Sequence, residues 1–98
     1  GTQCYTIPTN QVDYFEVAET GTKTRLHARH EITEFRESLA NIVKRWPTLV
    51  SINQELLINA DNLQTIDQAN HTLHFQDGLK LLIMLTNREL QALQKAIS

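Results

Sequence analysis

The sequence predicts a mainly β fold: short antiparallel strands, one amphipathic helix over about 33–45 and a short C-terminal helix over about 87–97. Three observations carry that prediction. In residues 49–67, LVSINQELLINADNLQTID, the side chains Val50, Ile52, Leu56 and Ile58 share one parity, the period-2 spacing of a strand with one buried face. Asp77-Gly78 stands between two apolar runs, a strong hairpin signal. Thr86 and Glu89 have the S/T-x-x-E spacing of a capping box, and Leu90, Leu93 and Ile97 follow as an apolar stripe.

Taken in order, residues 3–7 read as a short strand ending at Pro8, which lacks an N–H and fits an edge or a turn. Residues 12–17, VDYFEV, are rich in β-branched and aromatic side chains and form the second strand. A turn at Glu19-Thr20-Gly21-Thr22 returns the chain as a strand over 23–29, a hairpin expected to gather Lys23, Arg25 and Arg29 at one edge. From residue 31 the period changes. Phe35, Leu39, Ile42 and Val43 fall at i, i+4, i+7 and i+8, with Thr33 as the expected cap. Glu34 and Glu37 then sit near the positive end of the helix dipole, Lys44 and Arg45 near the negative end, and Pro47 stops the helix. Trp46 is expected to bury against the sheet.

Within 49–67, Gln54 falls on the apolar parity and interrupts it. Either the amide is buried with satisfied partners, or a bend swings it out to a surface. Asn59-Ala60-Asp61-Asn62 supplies side chains that cap their own backbone, so a turn follows there, and residues 63–66 resume the extended pattern.

Composition bounds the function. Ninety-eight residues, 41% hydrophobic and 20% charged, make one globular domain over 1–98. No apolar run approaches the ~20 residues of a membrane span, and no charged-then-apolar leader opens the chain. The single Cys4 fits a reducing compartment, so a cytoplasmic location without membrane contact is expected. Gly1 in place of Met suggests a domain cut from a longer protein. His27-x-x-His30 and His71-x-x-His74 tempt a metal reading, but a spacing of three on a strand sends the rings to opposite faces. No phosphate-cradling glycine loop and no activated Ser or Cys stands out. The expectation is therefore no enzyme, no metal and no cofactor. The net charge of −2 counts against nucleic acid as a default partner.

The order of these elements comes with recognisable residues. Ile7-Pro8 followed by Val12-Asp13-Tyr14-Phe15-Glu16 resembles the opening of LytTR-type DNA-binding domains. Thr33-Glu34-Phe35 with Leu39 is similar to their helix start, and Leu56-Leu57-Ile58-Asn59 with Asn62-Leu63-Gln64-Thr65-Ile66-Asp67 to their central stretch. Residues 73–93 resemble their closing hairpin and terminus, with Thr86, Arg88 and Leu90 in the matching places. The resemblance covers nearly the whole chain and implies an elongated β sandwich. It also implies a transcription regulator of the kind found as output domains of response regulators in two-component, peptide quorum-sensing circuits. Loops, rather than a recognition helix, would enter successive major grooves at promoter direct repeats.

The resemblance marks three DNA-facing clusters. Where the family shows Ser-His-Arg or Ser-His-Lys, this chain has Lys23-Thr24-Arg25. The family's Arg-x-His-x-Ser becomes Ser51-Ile52-Asn53-Gln54-Glu55, losing an Arg, a His and a Ser and gaining an acid. Asn87-Arg88 is retained. Arg25 and Arg88 suit guanine edges or phosphate, Asn53 and Gln54 suit adenine edges, and Lys23 and Arg29 suit phosphates. The implied partners are double-stranded promoter DNA, an upstream receiver domain, a histidine kinase that phosphorylates it, and a second copy on DNA. The competing expectation is the same fold with a decayed DNA face, serving as a protein-interaction module.

Overall fold

The computed structural model describes residues 8–19, 21 and 23–97, so the strand expected over 3–7 lies outside the described residues. A 3-10 turn at Thr9–Gln11 leads into β1 (Val12–Val17), β2 (Thr24–Ala28) and β3 (Ile32–Phe35). Helix α1 (Leu39–Arg45) is followed by β4 (Leu49–Asn53) and β5 (Leu56–Asn59). A second 3-10 turn at Ala60–Asn62 then leads to β6 (Leu63–Asp67), β7 (Thr72–Phe75), β8 (Lys80–Leu82) and α2 (Asn87–Ile97). The strands make two antiparallel sheets, β3-β2-β1-β5-β4 and β6-β7-β8. The body measures 44 × 24 × 23 Å, elongated as the β-sandwich expectation required.

Two cores explain why the first four residues of β1 are all buried. On one face of the five-stranded sheet, Phe15, Leu26 and Leu57 meet Leu39 and Ile42 of α1. On the other face, Tyr14 and Ile58 meet Leu73 and Phe75 of the smaller sheet and Leu93 of α2. A sheet covered on both faces buries residues of both parities, which is why Val12 to Phe15 are all buried. Trp46 is half-buried, edge-on to Phe15 with ring centroids 6.1 Å apart.

The helix expected over 33–45 is shorter. Its first three residues belong to β3, paired with β2, and Ser38 is the cap, its side chain accepting from the Asn41 N–H at 3.2 Å. The helical spacing misled because Phe35, on a strand, reaches the same core as Leu39 and Ile42 and lies edge-on to Phe15. With β3 in place, β2 is an interior strand. Lys23 and Arg29 stand at its opposite ends, so the three cations expected together at one edge are not gathered. The stripe from Val50 to Ile58 is likewise two strands. Gln54 is exposed in the turn between β4 and β5, the bend that the interrupted parity allowed.

Local chemistry behaves as its residues dictate. Asp77 Oδ1 accepts from the Leu79 N–H at 2.9 Å, while Gly78 takes the positive φ of 94° that the tight turn needs. The capping box closes reciprocally: the Thr86 N–H donates to Glu89 Oε1 at 2.8 Å and the Glu89 N–H to Thr86 Oγ1 at 3.2 Å. The Asn59 and Asn62 amides both donate to the Val12 carbonyl, at 2.7 and 3.0 Å, fastening the second 3-10 turn to the start of β1.

The sheets also meet at a carboxyl pair. Asp13, 0% exposed on β1, interacts with Asp77 in the β7–β8 turn, and the Oδ2 of each is buried with no hydrogen-bond partner among the described residues. Burial, reinforced by the hydrogen bond and charge of Asp77, pushes Asp13 up to about 8. Burial also works to raise Asp77, but the hydrogen bond from Asp13, the Leu79 N–H and the Arg29 charge bring it below the usual carboxylate range. A raised Asp13 beside a lowered Asp77 corresponds to one proton held on Asp13 and one charge, not two, at the junction of the sheets.

Candidate nucleic-acid interface

Three connections meet at the end of the large sheet where β1 finishes and β2 begins. The Val17 N–H donates to the Glu55 carbonyl at 3.0 Å, tying the end of β1 to the β4–β5 turn. Lys23, Thr24, Asn53 and Gln54 line one groove of about 610 Å³ beside the first turn of α1, floored by Val17, Leu39, Val43 and Leu57. The start of α2 joins the same end, because the Asn53 side chain hydrogen-bonds Glu89. The Thr86 N–H, followed by the Thr86 hydroxyl and Asn53, holds Glu89 below the usual carboxylate range.

The side chains expected to serve DNA are not equivalent within this arrangement. Lys23, Gln54, Asn87 and Arg88 are exposed. Neither Lys23 nor Arg88 has an ion-pair partner among the described residues. Asn53 is exposed too, but its Oδ1 already accepts from the Glu55 N–H at 2.7 Å, shaping the turn. Thr24 is 2% exposed, and its hydroxyl donates to the Glu37 carbonyl, so its side chain presents nothing to solvent. Strand alternation turns Arg25 to the opposite face from Thr24, where Nε and Nη2 donate to Glu34 Oε2 at 3.1 and 2.9 Å.

Acids are mixed into this end. Glu16 and Glu34 are the register partners of Arg25 on either side, and Glu55 is exposed in the β4–β5 turn. Glu16 is bonded in turn to His27, whose ring stacks on Tyr14 with centroids 4.1 Å apart. Burial holds the His27 imidazole below its ordinary range even though Glu16 favours the charged form. No group of three or more metal-ligating side chains occurs among the described residues. The Glu34–Arg25–Glu16 row is not legible in the sequence, because Glu34 lies within the helix that the spacing from Phe35 to Val43 predicts over 33–45; only the pairing of 32–35 with β2 exposes it.

An elongated pair of antiparallel sheets, with exposed amides and cations gathered at one end among the described residues, defines a β-rich domain with a polar surface at that end. The chain belongs to the LytTr DNA-binding domain family, which matches residues 2–98. That is a DNA-binding class, not a catalytic one. Its fold is similar to a solved structure described as the LytTr DNA-binding domain of a methyl-accepting/DNA response regulator from Bacillus cereus. The TM-score is 0.66 at 14% identity, covering 93% of this chain and 84% of that one. No curated protein matches the sequence. No helix among the described residues is long and apolar enough to cross a membrane.

Proposed function

We propose that this domain is a sequence-specific transcription regulator that inserts its β1–β2 turn, β4–β5 turn and α2 N-terminus into successive major grooves at promoter direct repeats. The observation that carries the reading is the meeting of those three connections at one end of the body. Lys23 and Arg88 are the cations free to take phosphates or guanine edges, Gln54 and Asn87 the exposed amides suited to adenine. Asn53 and Thr24 act mainly by shaping the turns that present them, and Arg25 contributes once it leaves Glu34. In this reading residues 1–98 are one domain of a longer cytoplasmic protein with a receiver upstream. A histidine kinase of a quorum-sensing, two-component circuit phosphorylates that receiver, and two copies meet on DNA.

The acids beside Arg25 and the exposed Glu55 favour a second reading, a protein-interaction module with a decayed DNA face. Selection from a random pool of duplexes, followed by electrophoretic shift, separates the two. The first reading expects an enriched repeat motif and weaker retention by Arg88→Ala and Lys23→Ala at unchanged melting temperature. A folded domain that enriches no motif, or whose retention ignores both changes, sinks it.

A further inference from the structure

Arg25 is held by acids of its own sheet. Glu34 on β3 and Glu16 on β1 are its direct cross-strand partners, and Glu19 adds to the negative potential around it. Two guanidinium N–H groups converge on one oxygen, Glu34 Oε2, at 2.9 and 3.1 Å. Glu16 is committed to His27, so Glu34 is the acid that binds Arg25. The pair is partly open to water, with 27% of the Arg25 side chain and 41% of Glu34 exposed, a setting in which an ion pair opens at small cost. A guanidinium fork matches a phosphate, or the O6/N7 edge of guanine, as well as it matches a carboxylate.

We infer that Glu34 is an intramolecular competitor for Arg25, holding the guanidinium in the free domain and releasing it when the DNA anion or a guanine edge arrives. This deepens the DNA-binding reading and rests on it. Glu34 thereby sets affinity and salt dependence. When Arg25 changes partners, DNA releases a condensed counterion, but the domain gives up an ion pair that salt itself weakens. The second effect offsets part of the first, and the salt slope of the wild-type domain is somewhat shallower than its number of phosphate contacts would give. Among the described residues, Lys23 and Arg88 have no such restraint.

The test is fluorescence anisotropy of the wild type, Glu34→Gln, Arg25→Ala and the double variant on a duplex recovered by random-pool selection, at several salt concentrations. Circular dichroism checks that each variant is folded. Glu34→Gln is expected to bind about threefold more tightly at low salt, the release of one exposed ion pair. Its salt slope should be steeper by a fraction of the ~0.9 of one phosphate contact, because no ion pair has to be given up. In the Arg25→Ala background the same change should do nothing, and Glu34→Ala should reproduce the sign of Glu34→Gln in case the amide makes a bond of its own. Weaker or unchanged binding by Glu34→Gln, while Arg25→Ala also weakens it, would show that Glu34 only buttresses Arg25 or is uncoupled from it, and would overturn the inference alone. An equal gain in the Arg25→Ala background would reduce the effect to general charge and overturn it as well. Unchanged binding by Arg25→Ala would remove Arg25 from the DNA face, taking both the inference and that part of the reading with it.

Discussion

Replacing Asp13 with Asn should flatten the pH dependence of stability and make the domain more stable at neutral pH. In the folded protein Asp13 keeps its proton up to about pH 8, whereas its unfolded value is 3.8. Between those values the folded state holds one proton more than the unfolded state, so stability falls as pH rises, by about 1.4 kcal/mol per pH unit. From about pH 4 to about pH 7 that amounts to roughly 4 kcal/mol, a large share of the 5–15 kcal/mol typical of a small domain. Asp77 has the opposite sign. Its folded value is depressed, so its contribution is present above the unfolded value and is lost as pH falls through the folded one. Together the pair places the stability maximum near the unfolded value of 3.8, where the rising slope of Asp77 gives way to the falling slope of Asp13.

Asn at position 13 has the same shape, donates from Nδ2 to the Asp77 carboxylate and cannot ionise. Urea denaturation across pH reads the effect. With a slope of about 1–3 kcal/mol per M for a small domain, the midpoint of Asp13→Asn at neutral pH should exceed that of the wild type by about 1 M or more. The two should converge near the unfolded value of 3.8. His27 contributes an opposing slope, because its folded value is depressed by burial and stability from it falls as pH drops below 6.5. The difference between wild type and Asp13→Asn cancels that contribution. Parallel curves for the two proteins from acid to neutral pH would refute the shared proton.

Three further outcomes follow from the packing and the charged end. Leu93→Ala empties a position that is 0% exposed between α2 and the sheets, and should cost about 2–5 kcal/mol by chemical denaturation; less than ~1 kcal/mol would mean that α2 is not part of the core. Asn59→Ala removes the buried amide that donates to the Val12 carbonyl at 2.7 Å and should cost about 1–3 kcal/mol, whereas Gln54→Ala on the exposed turn should leave the melting temperature unmoved. Glu55→Arg should tighten DNA binding several-fold at low salt, with the advantage shrinking as salt is raised, by about one unit of log–log slope; equal affinities at low salt would place residue 55 away from the duplex.

By itself the sequence determined the parts whose signals are local. The Asp77-Gly78 turn, the Thr86/Glu89 capping box, the Asn59–Asn62 turn, the β-branched and aromatic content of β1 and the extended patterns of β5 and β6 depend on residues a few positions apart, and each formed where the pattern placed it. The order of those elements was enough to suggest the family. What tertiary structure decided is everything that depends on which face or which neighbour a residue meets. Phe35 fits a helical stripe or a strand equally well until the core it enters is known, and the pairing of β3 with β2 settled it. The same pairing turned Arg25 from an edge cation into one held between Glu34 and Glu16, and it hid Thr24 against Glu37. Asp13 and Asp77 are 64 positions apart in sequence (77 − 13), and no local pattern marks them. Burial raised the cost of a second charge there, and only the docking of the two sheets brought the carboxyls close enough to share a proton.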